Sequence, residues 1–147
     1  MWLYAAVEPK TGESFCLYLP RLDGECFEVF LKEFEKSYPD EEIVLVLDGA
    51  PGHRSGQEVE WPSGIEGLRL PARSPELNPV ERWYEELRAR LSNRIFESEE
   101  EIKEALSEAL RPYWEAPSML AKLRPGMDGG WRESRTLGHQ LRKSVLR

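Results

Sequence analysis

Cysteine and histidine are scarce: 147 residues hold two of each. Cys16 and Cys26 do not form a metal-spaced pair, and no cysteine and histidine cluster is available to favour zinc, which wants several nitrogen or sulfur donors together. Two such thiols in an intracellular chain read as ordinary core residues, not as a disulfide. Long apolar runs are missing too. No stretch approaches the ~20 residues a membrane helix needs, and the N-terminus lacks the basic-then-apolar layout of a secretory signal. The expected location is cytoplasmic. An excess of positive charge is also lacking: the net charge of -7 argues against a protein that coats DNA non-specifically, because phosphate binding needs a basic surface. The charge is uneven, however. From Pro117 to Arg147 seven Lys and Arg stand against only Asp128 and Glu133. A basic segment on an acidic body is suited to touch nucleic acid, though solvated tails of this composition are commoner.

A hydrophobic content of 40% is enough for one domain with a real core. Two aromatic, β-rich runs, WLYAAV and SFCLYL, flank the turn-forming EPKTGE, so Trp2 to Leu19 predicts a β-hairpin. Asp23 then precedes Phe27, Phe30, Leu31 and Phe34, whose i, i+3, i+4, i+7 spacing makes one helical stripe that ends near Ser37. The run IVLVLDG, Ile43 to Gly49, is apolar without alternation, as in a strand buried on both faces. A Gly-, Pro- and Ser-rich stretch follows, with a short strand at GLRL. Asn78 reads as an N-cap with Pro79 in the first helical position, ahead of the stripe Val80, Trp83, Tyr84, Leu87 and Leu91. Ser98 with Glu101 makes a capping-box pattern for a last helix, expected to run to Pro112. This order predicts an α/β domain with a mixed sheet over 1–115. Residues 116–147 are expected to form a basic, flexible tail. Functional loops belong at the carboxyl end of the buried strand.

Two acids stand out. Asp48 ends the buried strand, where an unpaired carboxylate is costly and a cation is a natural partner; an Asx cap on the turn DGAPGH explains it equally well. Glu81 lies three residues after Asn78, so it fits a capping box, yet a carboxylate in the first turn of a helix on the sheet also projects toward strand ends. Together they suit shared Mg²⁺ or Mn²⁺, since both are oxygen donors. Two such ions would activate a water or a 3′ hydroxyl and stabilise the leaving oxygen of a phosphodiester. His53 is placed to orient a water or touch phosphate, or to bond backbone in its loop. Asp48, His53 and Ser55 lie too close together in one loop for a hydrolase triad. Arg54, Arg73 and Arg82 flank the acids as DNA-phosphate contacts or as surface ion pairs.

The blocks VLVLDGAPGHRS and LPARSPELNPVERWYEELRARLSNRIFES resemble the second and third catalytic blocks of DDE transposases, in the bacterial insertion-sequence branch of the mariner-like superfamily. The upstream YAAVEPKTGESFCLYLPRLDGECFEVFLKEF resembles the same branch, and the similarity runs from about Trp2 to Leu110. It implies a fold similar to ribonuclease H, a mixed sheet flanked by helices. It also implies metal-dependent DNA cleavage at transposon ends followed by strand transfer. In that family the acids matching Asp48 and Glu81 are the second and third members of the metal-binding triad, here with 32 residues between them. Mg²⁺ or Mn²⁺, in a two-metal arrangement, is the implied cofactor.

Family members carry a first catalytic Asp on a strand before the hairpin, and a helix-turn-helix region before that. This sequence begins at the hairpin, so the resemblance implies truncation at the N-terminus with the first, central strand missing. Glu8 sits in a turn and Asp23 caps a helix, so neither replaces the first acid. Nothing from Pro117 onward resembles the family. Some bacterial relatives split the transposase over two reading frames, which suits a downstream product inactive alone. Expected partners are DNA, both transposon ends and target, together with an N-terminal transposase fragment, full-length transposase or a second copy. The competing expectation is a non-catalytic remnant or interaction protein that pairs with full-length transposase through an open strand edge. An unrelated metal-dependent nuclease requires a further acid to complete the site.

Overall fold

In the computed structural model, residues 1–47, 59–69, 79–123 and 139–146 are described. The chain opens with β1 (Trp2–Val7) and β2 (Ser14–Leu19), an antiparallel hairpin running from Trp2 opposite Leu19 to Val7 opposite Ser14. Its turn closes on itself. The Glu8 amide donates to the Glu13 carbonyl and the Gly12 amide to the Glu8 carbonyl, each at 2.8 Å, while the Thr11 hydroxyl donates to the Glu8 carboxylate at 2.6 Å. Gly12 has φ +78°, a left-handed conformation that glycine adopts without steric cost.

Asp23 caps α1 (Gly24–Ser37) by accepting from the Cys26 amide at 2.9 Å. That bond, with the Arg21 guanidinium 3.0 Å away, holds the Asp23 carboxyl below its usual range. The stripe Phe27, Phe30, Leu31 and Phe34 is buried, and at this degree of burial each side chain contributes about 1.5–3 kcal/mol. Phe30 and Phe34 stack with centroids 5.9 Å apart, and Phe15 of β2 tilts against Phe34 at 5.3 Å. Tyr4 joins from β1, its hydroxyl donating to the Arg21 carbonyl at 3.0 Å.

The strands β3 (Ile43–Leu47) and β4 (Ile65–Arg69) pair in parallel, Ile43 opposite Ile65 and Leu47 opposite Arg69. Among the described residues three helices follow: α2 (Pro79–Leu91), α3 (Glu99–Glu115) and α4 (Ser118–Ala121). The Ser98 hydroxyl caps α3 at the Glu101 amide, 3.2 Å away. Glu101 reaches back to the amide of Glu97, at 2.9 Å, one residue farther than the usual capping-box acceptor. The helix runs through Pro112 to Glu115, beyond the expected stop. Proline removes one helical hydrogen bond, but the next residue, Tyr113, is buried against Trp83, and that anchor keeps the last turn in place.

The final strand, β5 (His139–Leu146), lies in the middle of the sheet, whose order is β2-β1-β5-β3-β4. It runs antiparallel to β1 and parallel to β3. Of the segment expected as a tail, the described residues include α4 and β5. β5 stands between β1 and β3, the strands expected to leave an open edge, and pairs with both. Among the described residues β2 and β4 stand at the edges of the sheet.

Alternation sorts the core into two layers. Tyr4 and Ala6 of β1 face α1, together with Ile43, Leu45 and Leu47 of β3. Leu3, Ala5 and Val7 face the other way, against Val80, Trp83, Tyr84 and Leu87 of α2 and Leu110 and Tyr113 of α3. The result is a mixed α/β sandwich of helices about one sheet. No helix among the described residues is long and apolar enough to cross a membrane.

Candidate active site

β3 is the frame for the first candidate acid. Its odd-numbered residues Ile43, Leu45 and Leu47 are buried toward α1, so by the two-residue period of a strand Val44 and Val46 belong to the opposite face, where α2 lies. Asp48 is the next even-numbered position in the sequence and lies outside the described residues, as do His53, Arg54 and Arg73.

α2 frames the second. Pro79 opens the helix, and its fixed φ with no amide to satisfy suits that position. Val80, Trp83, Tyr84 and Leu87 fasten one side of it to β1 and α3. Glu81 is the third residue of the helix and is off that stripe; its backbone is described, and Asn78, the expected cap, lies outside the described residues. The N-terminal turn of a helix carries partial positive charge that favours a carboxylate or another anion beside it. Arg82 is exposed, with Nη1 donating to the Leu123 carbonyl at 3.4 Å. One of its contacts therefore ties α2 to the turn just after α4.

Beside the β3–β4 ribbon the surface is concave. A cavity of about 340 Å³ is lined by Leu47, Trp61, Ile65, Glu66 and Gly67. Gly67 allows this shape: a Cβ there would lie 2.5 Å from the Trp61 ring, so the indole rests directly on β4. Trp61 also meets Phe27 edge-on, with centroids 5.6 Å apart. The charged residue buried among those described is Glu8, 8% exposed. It serves the hairpin turn, in keeping with its sequence context. No group of three His, Cys, Asp or Glu suited to a metal ion forms among the described residues.

The family model for the DDE superfamily endonucleases matches residues 1–103. The chain belongs to that family. A relative from Sinorhizobium fredii (strain NBRC 101917 / NGR234), named as the uncharacterized protein y4pE/y4sA, is 41% identical over 106 residues, covering 69% of this chain and 78% of the relative. No solved structure matches significantly. The region matched to the DDE endonucleases takes in β1 to α2 and the first part of α3, so both candidate acids fall within it. β5 lies beyond it, as does α4.

Proposed function

We propose that this chain is the C-terminal part of a transposase of the insertion-sequence, mariner-like branch, with a ribonuclease H-like fold, acting in metal-dependent DNA cleavage and strand transfer at insertion-sequence ends. The observation that carries the reading is the endonuclease family match. It spans both a carboxylate directly after a buried strand, Asp48, and one in the first turn of a packed helix, Glu81. The central position of a strand parallel to β3 and antiparallel to β1 supports the ribonuclease H-like arrangement.

Asp48 and Glu81 are the residues assigned to hold Mg²⁺ or Mn²⁺, and their hard oxygen donors fit such ions. Bound there, the ions supply an activated water or 3′ hydroxyl and stabilisation of the leaving oxygen. The protein's own contribution is position. Asp48 follows the buried β3 in the sequence and Glu81 stands in the first turn of the anchored α2, and His53, Arg54, Arg73 and Arg82 are assigned to DNA phosphates. A complete site of this kind wants a further carboxylate, and the sequence of β5, HQLRKSVL, has none. That observation favours a chain inactive by itself, whose missing acid comes from an N-terminal fragment or full-length transposase. It also keeps in view a non-catalytic protein that pairs with a transposase and DNA.

Calorimetric titration with Mn²⁺ tests the reading. Binding that disappears in Asp48→Ala and in Glu81→Ala is expected, and binding indifferent to both substitutions refutes the site. Nicking of transposon-end DNA should require a second fragment bearing an acid; full nicking by the 147-residue chain alone would refute the incomplete-site proposal.

A further inference from the structure

The middle of the sheet is occupied by a strand whose sequence suits that place badly. β5 is staggered across its neighbours: β1 pairs with its residues 142–146 and β3 with its residues 139–143. Both neighbours flank it only at Arg142, between Val7 and Val46, and at Lys143, between Ala6 and Leu47. Helices cover both faces of the sheet at this level, since Ala6 and Leu47 pack toward α1 and Val7 packs with α2. A strand paired on both edges under two helical layers ordinarily reads as an apolar, β-branched run, as IVLVL does in β3. HQLRKSVL instead places two consecutive basic residues at the two doubly flanked positions.

We infer that the slot between β1 and β3 is a binding site for an extended apolar strand of a second polypeptide, running parallel to β3, and that β5 is its exchangeable occupant. The slot supplies main-chain donors and acceptors along both walls, which give affinity to any strand of matching direction. The apolar residues above and below give selectivity for Val- or Ile-type side chains at the two central positions. The incoming strand displaces β5. The inference does not depend on the nuclease reading, because it rests on sheet register and strand composition alone.

The test uses the full chain and two labelled eight-residue peptides, one with the β5 sequence and one carrying Arg142→Ile and Lys143→Val, with a scrambled version of the second as control. The substituted peptide should bind at least about tenfold tighter than the other two. On its binding the β5 amides should lose hydrogen-exchange protection, while those of β1 and β3 keep theirs. Equal affinity for all three peptides, or binding that leaves β5 protected, overturns the inference. A second measurement holds whatever the peptides' behaviour. The full-length variant R142I/K143V should melt at a higher temperature than the natural chain, its slot being filled by a better-matched strand. A lower midpoint would show that the slot is built for Arg and Lys.

Discussion

Trp83 meets Tyr113 edge-on, with ring centroids 5.6 Å apart and planes at 71°, and this contact fastens α2 to α3. Both rings are almost wholly buried. Arg90 lies over the Tyr113 ring at 5.4 Å, and the Tyr113 hydroxyl donates to the Glu86 carboxylate. Truncating Trp83 to Ala should cost about 3–5 kcal/mol, as expected for deletion of a large buried ring. Urea unfolding followed by circular dichroism measures it; a loss below about 1 kcal/mol would show the contact to be dispensable.

Alkaline pH should loosen the same junction. Burial, assisted by the Glu86 carboxylate beside its hydroxyl, pushes Tyr113 from 10.0 up to about 12. A group whose folded value is raised contributes stability that is complete below the unfolded value and disappears as pH rises toward the folded one. Stability should therefore fall between about pH 10 and pH 12, and Tyr113→Phe should flatten that part of the profile. Chemical denaturation at a series of pH values provides the comparison.

Gly12 should not tolerate a side chain. Its φ is +78°, and a Cβ built there lies 1.8 Å from the Pro117 carbonyl oxygen. The hairpin turn thus rests against the start of α4, backbone to backbone. Gly12→Ala should lower stability by about 1–3 kcal/mol through strain, and more if α4 must move. A thermal melt indistinguishable from the natural chain's would contradict this packing.

Both thiols should resist modification in the folded protein. Burial pushes Cys16, half-buried on β2, up to about 12, and Cys26 is buried in the first turn of α1. Thiolate is the reactive form, so a chromogenic disulfide reagent at neutral pH should react slowly with the native chain and quickly after unfolding. Fast reaction of either thiol in the native state would place it outside the core.

Capping and metal binding at Glu81 can be separated by one substitution. Glutamine at the same helical position still serves a capping box, so Glu81→Gln should change stability by less than about 1 kcal/mol. It removes a charge a cation needs, however, and Mn²⁺ affinity should drop at least about tenfold. A stability loss without an affinity loss would leave Glu81 as a cap alone.

Much of the fold can be read wherever one short-range rule decides it. Asp23 before the Phe27, Phe30, Leu31, Phe34 stripe yields both the start and the buried face of α1, and the uninterrupted IVLVL run yields a strand with neighbours on both sides. Ser98 marks the start of α3 for the same reason. Its end is not legible, because the burial of Tyr113 is a tertiary effect that local proline rules do not contain. β5 is hidden more deeply. HQLRKSVL neither alternates nor forms an apolar run, and its partners β1 and β3 are distant in sequence. The candidate site divides similarly: the family resemblance of the surrounding blocks singles out Asp48 and Glu81, which spacing alone leaves between cap and ligand, but only packing shows that α2, the helix holding Glu81, is anchored by Val80 and Trp83 on the face opposite α1.

The staggered position of β5 also bears on how the domain unfolds. Among the described residues the hairpin β1–β2 and the ribbon β3–β4 share no direct ladder, so their main-chain connection passes through one strand at the far end of the chain. Side chains make the other tie, through α1, whose aromatic stripe touches both ribbons. Among the described residues, cooperativity therefore rests on two links of different kinds. Shortening the chain to end before His139 would leave α1 as the remaining described bridge, and a single melting transition would be expected to broaden or split as the two ribbons began to open independently.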